Sequence, residues 1–235
     1  MKNELAVIDI GSNSIRYVIF HPIDSGRYIE TINVKVVARL SAHIDANGAL
    51  DSIGIRLLCE TLQRFHEIGI THHVEETICV ATAAIRNASN RQDIVYAVEQ
   101  ETPFTMRVLS DEQEAYYGYF AIINSTFLTD GYSVDIGGGS MEVTLIENRE
   151  MVAYHSFPFG AVTLTRQFLS GGTMTSGEQK KLVKFLREQF DEIPWLKNKK
   201  LPLIGVGGSA RNFVRIHQST LDYPLHGIHQ YQVRS

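Results

Sequence analysis

Apolar runs of strand length alternate with segments of helical periodicity along this chain, and the whole order occurs twice. Leu5 to Ile10 leads into a polar tip and Ile15 to Phe20 leads out; Tyr132 to Ile136 and Met141 to Ile146 frame a second tip in the same way. Both read as β-hairpins whose turns contain glycine. The tips are Asp9-Ile-Gly-Ser-Asn-Ser14 and Asp135-Ile-Gly-Gly-Gly-Ser140. Their separation is too long for a solenoid or propeller unit and suits a duplicated domain.

The flanking pattern supports that duplication. Strands are expected near 4–10, 14–21 and 27–39, then a helix from Ser52 to Gly69 whose Ile55, Leu58, Leu62 and Phe65 fall at helical spacing. A strand at Thr77 to Ala81, a helix at Arg91 to Gln100, a strand at Met106 to Ser110 and a helix at Glu112 to Asn124 complete the first half. Asp130-Gly131 marks the turn between halves, giving expected lobes at 1–128 and 129–235. The second half repeats the order with a hairpin over 132–147, a strand near 151–157 and helices near 161–170 and 177–192. Thr175 and Glu178 have capping-box spacing for the latter helix. Leu201 to Val206 forms a last strand, running into Gly207-Gly208-Ser209 and a short helix. The expected class is α/β, with mixed sheets flanked by helices in two lobes and a cleft between them.

Composition narrows the setting. With 235 residues and 44% hydrophobic positions, the chain can bury two real cores. It has no apolar run of membrane-spanning length, and it enters a strand within a few residues, so the cytoplasm is the expected compartment. Cys59 and Cys79 lack any metal-ligand or CxxC spacing and read as buried thiols. A net charge of −4 and a pI near 6.1 argue against a DNA-binding surface, and no membrane partner is expected.

The tips carry the candidate chemistry. Glycine permits close backbone approach, so successive N–H groups can converge on anionic oxygens. Ser12, Asn13, Ser14 and Ser140 add side-chain donors, with Gly137, Gly138 and Gly139 supplying backbone. Asp9 and Asp135 end the first strand of each hairpin, where a carboxylate can hold a hard divalent cation directly or through water. An ordinary hairpin turn is the alternative for either copy alone.

Four further polar segments sit where apolar strands end. Arg86 and Asn90 are four apart; the arginine either forks a phosphate or is a solvated surface residue. Asp111, Glu112 and Glu114 open a helix, where acids mostly complement the dipole, and one of them can instead orient a water. Gly160 admits backbone close to a ligand and Thr163 can donate, or both simply start a helix. Gly207, Gly208 and Ser209 form a strand-to-helix turn that suits an anion at a helix N-terminus, without the sequence of a P-loop or a dinucleotide fingerprint. His72-His73, His226, His229 and the Lys197 to Lys200 cluster read as solvated surface.

Together these residues resemble the exopolyphosphatase and guanosine pentaphosphate phosphohydrolase (Ppx/GppA) family, within the superfamily of actin, sugar kinases and heat-shock ATPases. The resemblance rests on D-I-G-S-N-S at 9–14, T-x-A-x-R at Thr82 to Arg86 and D-I-G-G-G-S-x-E at Asp135 to Glu142. Ser110 to Tyr116 looks like the family's S-G-x-E-E-A-R helix start, Gly160 to Thr165 like its G-A-V-x-L-T segment, and Gly207 to Arg211 like its G-G-[ST]-A-R turn. It implies duplicated ribonuclease-H-like (actin-like ATPase) lobes, the second incomplete because Leu225 to Tyr231 resembles a point inside the family's second domain. It further implies phosphate release from inorganic polyphosphate or guanosine penta/tetraphosphate, with Glu114 as the catalytic glutamate, Glu142 as a second acid and Arg86 as a phosphate donor. The implied cofactor is magnesium, or another divalent cation, near Asp9 and Asp135, and a homodimer is left open. An ATP-using relative and a non-catalytic sensor of polyphosphate or alarmone remain alternative uses of the same tips.

Overall fold

The computed structural model describes residues 4–23, 26–197, 200–224 and 227–233, so His226, Asn198 and Lys199 lie outside the described residues. The chain divides into two units, Met1–Asp111 and Glu112–Ser235, each with its own mixed sheet.

In the first unit the strands are β1 (Glu4–Ile10), β2 (Ile15–Pro22), β3 (Tyr28–Val36), β4 (Val74–Ala81) and β5 (Met106–Val108), in the order β3-β2-β1-β4-β5. β1 to β3 are antiparallel neighbours, whereas β4 pairs parallel to β1 and β5 parallel to β4. Alternation along β1 buries Ala6, Ile8 and Ile10 completely, and β2 adds Ile15, Tyr17 and Ile19. Helix α1 (Ser52–Thr71) covers them with Leu58, Leu62 and Phe65, four and three residues apart on one face. Tyr17 stacks on Phe65 with ring centres 5.1 Å apart. The start of α1 is set by Asp51, whose Oδ1 accepts from Gly54 N at 2.7 Å. α2 (Ala83–Arg86) and α3 (Arg91–Glu101) follow β4.

β3 ends at Val36, short of the expected 39, because Arg39 takes a left-handed φ of 51° and begins a 3₁₀ turn over Leu40–His43. Nothing in the residue type announces that turn, since arginine has no preference for positive φ.

The second unit repeats the order. β6 (Gly131–Ile136), β7 (Met141–Glu147), β8 (Glu150–Phe157) and β9 (Leu203–Val206) form a sheet ordered β8-β7-β6-β9, with β9 parallel to β6. A counterpart of β5 beside β9 is not among the described residues. Met141, Val143, Phe157, Phe159 and Ile193 form its core cluster, against which Phe185, Leu186, Phe190 and Trp195 pack. The helices are α4 (Asp111–Ser125), α5 (Ala161–Phe168), α6 (Ser176–Asp191) and α7 (Gly207–Thr220). The capping box of α6 is formed as its spacing predicts, with Thr175 and Glu178 bonding each other's backbone. α7 is longer than the short helix expected at that point.

The contact boundary at Asp111/Glu112 differs from the 128/129 boundary read from the Asp130-Gly131 turn. The reason is Arg149, which with Asn148 forms the tight β7–β8 turn, both at positive φ. Its guanidinium donates to the carbonyls of Ile123, of Thr126 at 3.3 Å and of Leu128 at 3.0 Å, while Tyr119 Oη donates to Arg149 O at 2.8 Å. These bonds tie the C-terminal end of α4 to the second sheet. Arg149→Ala strands those carbonyls, so urea unfolding should show a loss of about 1–3 kcal/mol; an unchanged midpoint would show that the strap is dispensable.

Candidate functional site

Each hairpin tip is closed by the same bond. Gly11 N donates to Ser14 O at 3.1 Å, and Gly137 N donates to Ser140 O at 3.0 Å. The carbonyls of each tip are then tied back by the segment that follows the third strand. In the first unit Ser12 O accepts from Ser41 N at 3.0 Å and Asn13 O from Arg39 N at 2.9 Å. In the second, Gly137 O accepts from Ala161 N at 2.8 Å and Gly138 O from Val162 N at 2.9 Å. Among the described backbone hydrogen bonds, none uses the N–H of Ser12, Asn13, Gly138 or Gly139. A tip with two carbonyls tied back and two successive amides outside these backbone bonds has the bonding state of an anion nest.

The second tip depends on Gly160 for this closeness. A Cβ there would sit 2.5 Å from Gly137 O and 2.7 Å from Ser140 O, both backbone atoms with little freedom to move. Thr163 is taken up locally, its Oγ1 accepting from Gly160 N at 2.8 Å.

The two tips differ in what faces their aspartates. Asp9 lies directly across the hairpin from Arg16, and Asp135 lies directly across from Glu142. Asp9 is reached by solvent, yet the protein around its carboxyl raises its pKa, with Arg16 drawing it the other way. Glu142 is only 5% exposed. Its pKa is pushed up from the ordinary 4.5 to about 7, first by burial and then by the charge of Glu114, with Asp135 adding to the rise. Hydrogen bonds from the Ser140 and Ser156 side chains oppose it, Ser156 Oγ donating to Glu142 Oε1 at 3.0 Å. Two acids from other elements of the second unit, Glu114 on α4 and Asp135 on β6, therefore act on Glu142 on β7.

Gly207 keeps Asp135 in that group. Its φ is 79°, and a Cβ at this position would fall 2.2 Å from Asp135 Oδ1. Among the described residues no group of three His, Cys, Asp or Glu side chains is placed to hold a metal ion. Asp135 opposite Glu142 nevertheless supplies carboxylate oxygens of the kind a hard divalent cation takes.

Other residues singled out from the sequence are engaged elsewhere. Asn90 uses its whole amide on one backbone residue, accepting from Leu50 N at 2.9 Å and donating to Leu50 O at 3.0 Å. Arg86 donates from Nη1 to Leu109 O at 3.1 Å and pairs through Nη2 with Asp111 Oδ1 at 2.7 Å. Ser209 Oγ donates to Ile136 O at 2.9 Å, and Gly208 faces open space. The role of Ser209 has a counterpart that sequence reasoning missed: Thr82 N donates to Ile10 O at 3.1 Å, and Thr82 Oγ1 reaches the same oxygen at 3.4 Å. Thr82 and Ser209 stand 72 and 73 residues after the isoleucines they hold, so superposing the halves of the sequence exposes the pair. Ser156 was also missed.

Two outcomes test this geometry. Gly160→Ala should displace the second tip, lowering the thermal midpoint by the equivalent of about 1–3 kcal/mol; an unchanged midpoint would show that the tip tolerates a Cβ there. Glu142 binds its proton more tightly folded than unfolded, so the stability it contributes is complete below about pH 4.5 and lost as the pH rises through about 7. Denaturation at a series of pH values in chelator should show that decline in the wild type and lose it in Glu142→Gln.

Comparison with known proteins agrees with the geometry. Residues 18–233 match the Ppx/GppA phosphatase family. The chain is 30% identical over 167 residues to exopolyphosphatase 1 of Mycobacterium tuberculosis, covering 70% of this chain and 48% of that protein. It is 32% identical over 194 residues to guanosine-5'-triphosphate,3'-diphosphate pyrophosphatase of Pseudoalteromonas translucida, covering 82% of this chain and 39% of that one. The chain thus spans about half the length of the first relative and less of the second. The crystal structure of the Aquifex aeolicus Ppx/GppA family member superposes with a TM-score of 0.75 at 27% identity, over 95% of this chain and 71% of that one. With its duplicated tips, its acid group and a match over nearly its full length, this chain belongs to the Ppx/GppA phosphatase family.

Proposed function

We propose that this chain hydrolyses the terminal phosphoanhydride bond of a polyphosphorylated anion, releasing phosphate from inorganic polyphosphate or guanosine pentaphosphate. The observation that carries this is the convergence of Glu114 and Asp135 on Glu142, beside a tip whose Gly137 and Gly138 carbonyls are tied back. The names of the relatives, an exopolyphosphatase and a guanosine pentaphosphate pyrophosphatase, support the same substrate class.

Hydrolysis of a phosphoanhydride passes through a loose transition state, so the protein's task is to place donors and positive charge around phosphoryl oxygens. In the second unit the amides of Gly138 and Gly139 and the hydroxyl of Ser140 bind those oxygens; the first tip offers an anion the same kinds of group from Ser12, Asn13 and Ser14. In the first unit Arg86 offers a guanidinium to an anion that displaces Asp111 from it. Asp135 and Glu142 would hold magnesium in the second unit, where the ion would supply positive charge against the phosphate oxygens. Glu114 orients a water and accepts its proton as the water oxygen bonds to the terminal phosphorus. The bridging P–O bond breaks, and its oxygen leaves with the shortened chain. Such a base contributes about 10²–10⁴-fold, roughly 3–5.5 kcal/mol.

The test is magnesium-dependent phosphate release from long polyphosphate, guanosine pentaphosphate and ATP in parallel, for the wild type and Glu114→Gln. We expect release from one of the first two, with turnover in the variant reduced by at least about a hundredfold and binding retained. Retained turnover in Glu114→Gln removes that residue from the base role; binding without any release would favour a sensor, and release from ATP alone an ATP-using relative.

A further inference from the structure

We propose that Ser156 is a positioning residue, holding the carboxylate of Glu142 in place for the reaction. Its catalytic consequence rests on the hydrolase reading above; its structural part does not. β7 alternates, sending Met141 and Val143 into the apolar core and Glu142 to the opposite face. The β7–β8 register sets Ser156 directly opposite Glu142, and Ser156 Oγ donates to Glu142 Oε1 at 3.0 Å. Cross-strand neighbours on one face are the closest side-chain pairs a sheet provides, so the bond follows from strand pairing and needs no loop to adjust.

Glu142 needs such a tether. It is almost wholly buried, and both Asp135 and Glu114 repel its ionised form. A carboxylate with two like charges beside it and no fixed donor turns away from them. Two hydroxyls oppose that movement, those of Ser140 and Ser156. Ser140 belongs to the tip, and its hydroxyl is one of the groups offered to phosphate; drawing it toward a substrate takes it from Glu142. Ser156 comes from a third strand, outside the tip, so its bond survives substrate entry. Oε1 is thereby committed to β8, and the second carboxylate oxygen is the one left to serve the reaction.

Ser156→Ala, Ser156→Cys and Ser156→Thr separate this from a merely structural role. Cysteine keeps the volume and weakens the donor, and it gives the same reading should the alanine variant not fold. We expect kcat to fall about tenfold or more in the alanine and cysteine variants, with KM changed by less than about twofold, and threonine to restore kcat. Crystal structures should show the Glu142 carboxylate rotated away in the alanine or cysteine variant and held in the threonine variant. A Glu142 carboxylate that stays in place without the hydroxyl overturns the proposal, as does full kcat with the carboxylate displaced. Should the wild type release phosphate from neither polyphosphate nor guanosine pentaphosphate, the hydrolase reading falls, and the Glu142 orientations in those structures alone decide whether Ser156 holds it.

Discussion

Everything that can be said about chemistry in this chain depends on tying peptide carbonyls back at two hairpin tips. A tight turn presents donors and acceptors together, and an anion approaching it meets both. Here the oxygens of Ser12 and Asn13, and of Gly137 and Gly138, are drawn onto the amides of the segment after the third strand. The partners differ, a 3₁₀ turn in one unit and the first turn of α5 in the other, but the outcome is the same. The acceptors of each tip are thus fixed in advance, which is a condition for strong electrostatic stabilisation of an anion.

The rest of each unit holds that turn still. The parallel strand beside the hairpin ends near the tip, and the hydroxyl that follows it, Thr82 or Ser209, bonds the isoleucine carbonyl just ahead of the glycine. Behind the tips lie cores of ordinary composition, with α1 packed on the β1–β2 face and an aromatic cluster under β7 and β8. The polar groups at the tips are thus mounted on regular elements, and precision comes from strand register rather than from loops.

Much of this was legible in the sequence, because the strongest signals were also the local ones. The hairpins, the α1 stripe and the Thr175–Glu178 cap depend on residues within a few positions of each other, and they form as read. The acid group was half legible: Glu142 and Asp135 face each other because a hairpin's register is short-range, while the reach of Glu114 across from α4 is tertiary. Asn90 shows the limit. Its spacing from Arg86 suggested a shared wall, but its amide is consumed by Leu50, a partner 40 residues away that no periodicity announces. Ser156 was hidden for a related reason: a lone serine in a strand carries no signal until the pairing of β7 with β8 names its neighbour.

The unlike partners of the two aspartates give the duplication a direction. Arg16 sets a cation across from Asp9 at the first hairpin, whereas Glu142 sets a second acid across from Asp135 at the other. Two copies of one turn have in this way acquired unlike electrostatics, and a single cross-strand side chain makes the difference.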